Sequence, residues 1–137
     1  MLNVIVVDAQ GGGLGASVVK KLVEKYSGKI HLTAAGTNAR ATASMKKSGA
    51  ADTATGEAAI CELVRGADVI FGGIGIIAAS GMLGEITPRI ARTIAESGAK
   101  KILIPISRCS IIIPGAREQS AKALIDLAAD ELESLID

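Results

Sequence analysis

Asn3-Val4-Ile5-Val6-Val7-Asp8-Ala9-Gln10-Gly11-Gly12-Gly13-Leu14-Gly15-Ala16-Ser17 is the stretch whose reading decides the fold. A short apolar run, rich in β-branched residues, reads as a buried strand over residues 3–7. It ends at Asp8 in a cluster of glycines. Beyond the cluster, Leu14, Val18, Leu22 and Tyr26 recur every fourth residue, with Val19 and Val23 beside them. That is the stripe of an amphipathic helix, and Gly28 stops it. A strand that passes through glycines into a helix exposes the unpaired N–H groups of the first helical turn. Those groups and the helix dipole attract an anion.

The rest of the chain repeats the alternation. Residues 30–35 predict a second strand, and Asn38 an N-cap for a small-residue helix through Met45, closed by Gly49. Residues 50–54 predict a third strand. A helix follows Thr55-Gly56-Glu57, with Ile60, Leu63 and Val64 on one face and Gly66 at its end. Residues 68–72 predict a fourth strand and residues 73–86 a long loop. Thr87-Pro88 places Thr at an N-cap and Pro at the first helical position of the next helix. Its buried stripe is Ile90, Ala91, Ile94 and Ala95, and Gly98 ends it. Residues 101–106 predict a fifth strand, and Ile111-Ile112-Ile113 offers a short extra one before Pro114-Gly115. The last helix carries Ala121, Leu124, Ile125, Ala128, Leu132 and Leu135 on one face. Right-handed crossovers between five alternating strands and helices give a mostly parallel sheet with helices on both faces. The expected fold is a single α/β domain over residues 1–137, a three-layer sandwich similar to Rossmann-like domains, with strand order 3-2-1-4-5. Its site then lies at the C-terminal ends of the strands, where strands one and four separate.

Composition narrows the function. The chain has 137 residues, 49% of them hydrophobic, yet Tyr26 and Phe71 are its only aromatics. Ile, Val, Leu and Ala must fill the core. Fifteen Lys and Arg against 14 Asp and Glu leave a net charge of +1, and with no aromatic platform nothing points to nucleic acid. Cys61 and Cys109 read as free thiols. One histidine, His31, and two scattered cysteines make no zinc site. The N-terminus lacks the pattern of a signal peptide, and the longest uncharged run, residues 69–84, is too short and glycine-rich to span a bilayer. A cytoplasmic protein without membrane contact is expected.

The glycine turn fits two registers. Gly11, Gly13 and Ala16 match G-x-G-x-x-G/A; Gly13-Leu14-Gly15 resembles the turn of short-chain dehydrogenases, with Ala9 in place of the first glycine. Two departures weaken an NAD or NADP site. No acid ends the second strand to hold ribose hydroxyls, since Ala35-Gly36-Thr37-Asn38 stands there, and Arg40 is the one nearby hint of a 2′-phosphate. Asp8 would repel a phosphate unless it is turned aside or holds a metal ion. The plain alternative is that the glycines serve close helix–sheet packing. The candidate binding residues are Asp8, Gln10, Gly11, Gly12, Gly13, Leu14, Gly15, Thr37, Asn38, Gly72, Gly73 and Arg108. Arg108 is a candidate phosphate clamp. Cys109 lacks a nearby histidine to activate it and reads as structural or exposed. Glu57 reads as a first-turn acid favoured by the helix dipole, and Glu85 as a solvated acid before a helix, or a general base if the loop closes. The loop 73–86 is apolar, with four glycines, so its isoleucines and Leu83 need covering: either as a lid on a pocket or as a subunit contact. A homo-oligomer, a dimer in the simplest case, is expected.

The set Asp8-Ala9-Gln10-Gly11-Gly12-Gly13-Leu14-Gly15, Gly36-Thr37-Asn38, Ala54-Thr55-Gly56-Glu57, Gly75-Ile76-Ile77, Gly84-Glu85-Ile86-Thr87-Pro88 and Ile104-Pro105-Ile106-Ser107-Arg108-Cys109 resembles a family of small bacterial proteins known as a domain of unknown function. The resemblance spans essentially the whole chain. It implies a Rossmann-like domain standing alone and supplies no reaction, substrate or cofactor. The likeness to dehydrogenases stops at the first turn, because Tyr26 is the only tyrosine and no Tyr-x-x-x-Lys pair exists. The expected function is binding of a nucleotide or another phosphorylated small molecule. The alternatives are a non-catalytic homo-oligomeric assembly or regulatory protein, and an NAD(P)-dependent oxidoreductase whose site is shared between subunits.

Overall fold

Val4 and Val6 point to one side of the first strand and Ile5 and Val7 to the other, and all four are buried. Only a central strand covered on both faces buries both sets. The computed structural model describes residues 1–106 and 110–136. Its elements are β1 (Leu2–Asp8), α1 (Gly13–Tyr26), β2 (Ile30–Gly36), α2 (Ala39–Lys47), β3 (Asp52–Thr55), α3 (Glu57–Arg65), β4 (Val69–Gly73), α4 (Pro88–Glu96), β5 (Lys100–Ile104) and α5 (Ala121–Glu131). The five strands form one sheet in the order β3-β2-β1-β4-β5, with every pairing parallel. This is the Rossmann-like arrangement expected from the alternation of elements.

Two cores flank the sheet. Val4 and Val6 pack with Val18, Val19 and Leu22 of α1, Met45 of α2 and Ala128, Ala129 and Leu132 at the C-terminus of the chain. Ile5 and Val7 pack with Ile60 and Val64 of α3 and Ile90, Ala91 and Ile94 of α4. The helix starts follow local chemistry. Asn38 Oδ1 accepts the Ala41 N–H at 2.9 Å, and Thr87 Oγ1 accepts the Ile90 N–H at 3.2 Å with Pro88 beginning the helix.

The structure departs from the sequence reading in two places. Residues 111–113 form no strand; they line an open surface pocket together with Ile74 and Leu124 and are followed by Pro114, which offers no N–H to a ladder. The segment 73–86 is also not an open loop. Residues Ile74–Ile77 make a 3-10 turn, and Gly81 pairs with Ile86 in an antiparallel bridge. Ile76 and Ile86 are fully buried against the α3–α4 core, so the chain itself covers them, while Leu83 at the tip is 93% exposed. This compact turn carries backbone strain. Ser80, Met82 and Leu83 all have positive φ (64°, 53° and 59°), a left-handed conformation that costs a non-glycine residue roughly 1–2 kcal/mol. No helix among the described residues is long and apolar enough to cross a membrane.

Candidate functional site

The turn after β1 is fixed from three sides. The Gly12 N–H donates to the Ala9 carbonyl at 3.0 Å, and Gly12 takes φ 71° at the N-cap of α1. The carbonyls of Gln10 and Gly11 accept from Asn38 Nδ2 at 3.1 Å and Ser44 Oγ at 2.8 Å, the first at the N-cap of α2 and the second in its body. Because a trans peptide sets C=O and N–H antiparallel, the Gly11 N–H points away from α2. The Gly12 carbonyl accepts the Ala16 N–H within the helix, so the Gly13 N–H points out of the helix start. Among the described residues, no acceptor meets the N–H of Gly11, Gly13 or Leu14.

These groups border a cleft of about 380 Å³ lined by Asp8, Ala9, Gln10, Gly11, Gly12, Gly13, Leu14, Gly75, Met82 and Ile106. The four glycines of the turn divide sharply. A Cβ on Gly12 would stand 2.6 Å from the Ala41 carbonyl oxygen, and one on Gly15 would stand 2.6 Å from Met45 Sδ and 2.8 Å from Asp8 Cβ. Helix–helix and helix–strand packing account for both. A Cβ on Gly11 or Gly13 would meet nothing within 4 Å. Neither sequence register describes this division: the packed pair is Gly12-x-x-Gly15, and the open pair is Gly11-x-Gly13.

Asp8 is turned aside. Its Oδ1 accepts the Ala9 N–H at 2.8 Å and its Oδ2 the Gly15 N–H at 2.6 Å, with the residue 5% exposed. Burial raises its pKa above the ordinary carboxylate value, against the pull of the Gly15 and Ala9 N–H groups. The carboxylate thus takes one donor of the first turn of α1 for itself and leaves the others. Among the described residues, no group of three His, Cys, Asp or Glu side chains is placed to hold a metal ion.

Thr37 and Asn38 end β2 as expected, but both are engaged with Glu85. Glu85 Oε1 accepts Thr37 Oγ1–H at 2.6 Å, Asn38 Nδ2–H at 2.7 Å and the Gln10 N–H at 3.0 Å. Glu85 is therefore not a free solvated acid. It ties the β4–α4 connection to the turns after β1 and β2. The hydrogen bond from Thr37, foremost, holds its pKa below the ordinary value. A depressed pKa gives stability that is present above the unfolded-state value and lost as pH falls through the folded-state one. Acidification below the usual carboxylate range is therefore expected to loosen residues 78–87 before the sheet opens. Amide exchange of this segment at stepped acidic pH, with the β1 amides as reference, checks it.

The remaining candidates are placed as follows. Gly72 and Gly73 lie at the end of β4, where a Cβ would press on Ile76 and the Val7 carbonyl, or on Leu14 at 3.1 Å, so packing accounts for them. Arg108 and Cys109 lie outside the described residues. Glu57 begins α3 and accepts from Thr87 Oγ1, with Arg89 Nη1 3.4 Å away. His31 pairs with Asp52 at 2.9 Å near the opposite ends of the strands, and Cys61 is a buried free thiol. Gly75, Met82 and Ile106 line the cleft although the sequence reading did not select them. No local motif marks them: Gly75 and Met82 come from the connection after β4 and Ile106 from the segment after β5, far from the glycine turn in sequence.

A doubly wound parallel sheet with a glycine turn opening α1 defines a Rossmann-like α/β domain. Within that class, the chain belongs to the family described as a domain of unknown function, DUF3842, which matches residues 3–137. No curated protein matches the sequence significantly. Among solved structures, the chain is similar to apo saccharopine dehydrogenase (L-Glu forming) from Saccharomyces cerevisiae, with TM-score 0.52 and 21% identity over 86% of this chain. The chain spans only 24% of that enzyme's length, and the likeness is one of fold. Weaker likenesses are an arsenate reductase in its phosphate-binding state (TM-score 0.44, 15% identity, 98% of this chain and 96% of that one) and a universal stress protein in complex with cAMP (TM-score 0.41, 18% identity, 76% and 98%).

Proposed function

We propose that this chain binds a nucleotide or another phosphorylated small molecule, with its phosphate at the start of α1. The observation that carries the reading is the open pair Gly11 and Gly13. Packing explains Gly12 and Gly15 but leaves Gly11 and Gly13 without a structural reason, and the N–H groups of both stand at a cleft mouth. A backbone donor with no Cβ beside it admits an anion to hydrogen-bond distance. Asp8 does not oppose this, because its charge is spent on Ala9 and Gly15 N–H groups.

Thermal unfolding in the presence of NAD, NADP, FAD, ATP, S-adenosylmethionine and phosphosugars tests the reading. A ligand at 100 times its Kd stabilises by about 2.7 kcal/mol, a rise in Tm of roughly 10 °C for a domain this size. No shift with any of them sinks the binding reading and favours the assembly reading. That second reading has its own support: Leu83 and Ile112 are 93% and 74% exposed, apolar tips that another copy would cover. Sedimentation at high protein concentration shows whether they do.

A further inference from the structure

We infer that the ligand of the proposed site carries an aromatic ring beside its phosphate, and that Met82 is the residue selecting for it. The inference rests on the phosphate reading above and narrows it: a ring-bearing phosphate ester fits the cleft, and a phosphosugar does not. It starts from the way the described walls of the cleft divide. At the glycine turn the wall is backbone and carries the N–H groups of Gly11, Gly13 and Leu14. Away from the turn it is apolar, made by Leu14, Gly75, Met82 and Ile106. Three of these four meet over the end of β4. A Cβ on Gly73 would stand 3.1 Å from Leu14 Cδ2, 3.3 Å from the Ile106 carbonyl oxygen and 3.8 Å from Met82 Cε. Met82 also lies along Gly75, where a Cβ would stand 3.3 Å from its Cε and 3.6 Å from its Cγ. The side chains at this end offer no hydrogen bond beyond the weak acceptance of a thioether.

Leu14 belongs to both ends. Its N–H stands in the first turn of α1, and its side chain is part of the apolar wall. A phosphate at that turn therefore brings the atoms attached to it against Leu14 and Met82. The volume agrees: about 380 Å³ is at the small end of pockets for organic ligands and is larger than one tetrahedral anion fills. A flexible, polarizable thioether packs well against an aromatic ring. The hydroxyls of a sugar, moved from water to the same wall, would lose hydrogen bonds that it cannot return. Met82 and Leu83 also part company. Leu83 is 93% exposed at the tip of its turn, whereas Met82 is half-buried and lines the cleft.

The test uses the whole chain and three probes: phenyl phosphate, ribose 5-phosphate and inorganic phosphate. Each is titrated while the amide signals of Gly11, Gly13 and Leu14 and the methionine methyl signals are followed by NMR. The chain has three methionines, and the fully buried Met45 serves as the internal reference for Met82. Phenyl phosphate is expected to bind roughly ten- to a hundred-fold more tightly than the other two, the worth of burying one ring. It is also expected to move the Met82 methyl signal by its ring current, while inorganic phosphate moves the amides alone. Met82→Ala is expected to cost phenyl phosphate roughly five- to ten-fold and inorganic phosphate less than about two-fold, and Met82→Leu to keep the preference. Equal wild-type affinity for phenyl phosphate and ribose 5-phosphate overturns the inference, and so does a Met82 methyl signal that phenyl phosphate leaves in place. A Met82→Ala variant that weakens all three probes alike also overturns it, because Met82 then only supports the turn. In each of these cases, amide shifts with inorganic phosphate leave the phosphate reading standing. No amide shift with any probe removes that reading together with the inference.

Discussion

Gly13→Val is expected to fold as well as the wild type and to lose ligand stabilisation entirely, whereas Gly12→Ala is expected to cost roughly 2–4 kcal/mol of stability. The two positions are adjacent, exchange a glycine for a small apolar residue, and part company for geometric reasons. At Gly12 the backbone sits at φ 71°, and an added Cβ would lie 2.6 Å from the Ala41 carbonyl oxygen and 2.8 Å from Ala41 Cα. Both neighbours are backbone, so α2 as a whole must move away from α1. At Gly13 nothing lies within 4 Å of the Cβ, and the residue is the first of a helix, where valine is a slightly better helix former than glycine. The valine methyl groups then stand where a phosphate oxygen would approach the Gly13 and Leu14 N–H groups. Urea denaturation of both variants reads the stability difference, and the ligand panel repeated on Gly13→Val reads the binding. A ligand shift that survives Gly13→Val places the site elsewhere; an unfolded Gly13→Val shows that the open space serves the fold.

Asp8 gives the second large effect. Asp8→Ala leaves the Ala9 and Gly15 N–H groups facing a buried space without an acceptor, at about 1–3 kcal/mol for each unpaired donor. Asp8→Asn keeps one oxygen but turns an NH2 against the other donor, so it is expected to lose about half as much. The pH dependence separates charge from shape. The folded-state pKa of Asp8 is raised, so its contribution is fully present below the unfolded-state value and declines as pH rises through the folded-state one. Wild-type stability is therefore expected to fall as pH climbs out of the ordinary carboxylate range, and Asp8→Asn to flatten that slope. Denaturation midpoints at stepped pH measure it. A wild-type slope that persists unchanged in Asp8→Asn assigns it to another group.

The pKa values of Asp8 and Glu85 shift in opposite directions because their surroundings differ. Asp8 is sunk under α1, where desolvation outweighs two backbone donors; Glu85 lies at the surface of the turn, where three donors outweigh desolvation. The sequence reads Asp8 as a candidate site acid and Glu85 as a solvated one, but shows neither the burial nor the donors that shift them apart. One signal for Glu85 was present: it is the only charged residue between Val69 and Thr87. A lone charge in an apolar connection needs a partner, and its partners lie 75, 48 and 47 residues away along the chain.

Most of the architecture rests on short-range patterns. Continuous β-branched runs, four-residue apolar stripes, Asn38 and Thr87 as caps and Pro88 at a first turn are all resolved within a few residues. The handedness of crossovers then orders the strands as β3-β2-β1-β4-β5. The sequence by itself thus determined the sheet, its two covered faces, and the glycine turn at the C-terminal end of its central strand. Only the tertiary structure decided which glycines serve packing and which stand open, where Asp8 spends its charge, and that Glu85 ties the β4–α4 connection to the turns after β1 and β2. Those outcomes depend on the distance between segments that meet only when separate crossovers close. A difference of about an ångström between an Ala41 oxygen and an absent Cβ is written in no single stretch of residues.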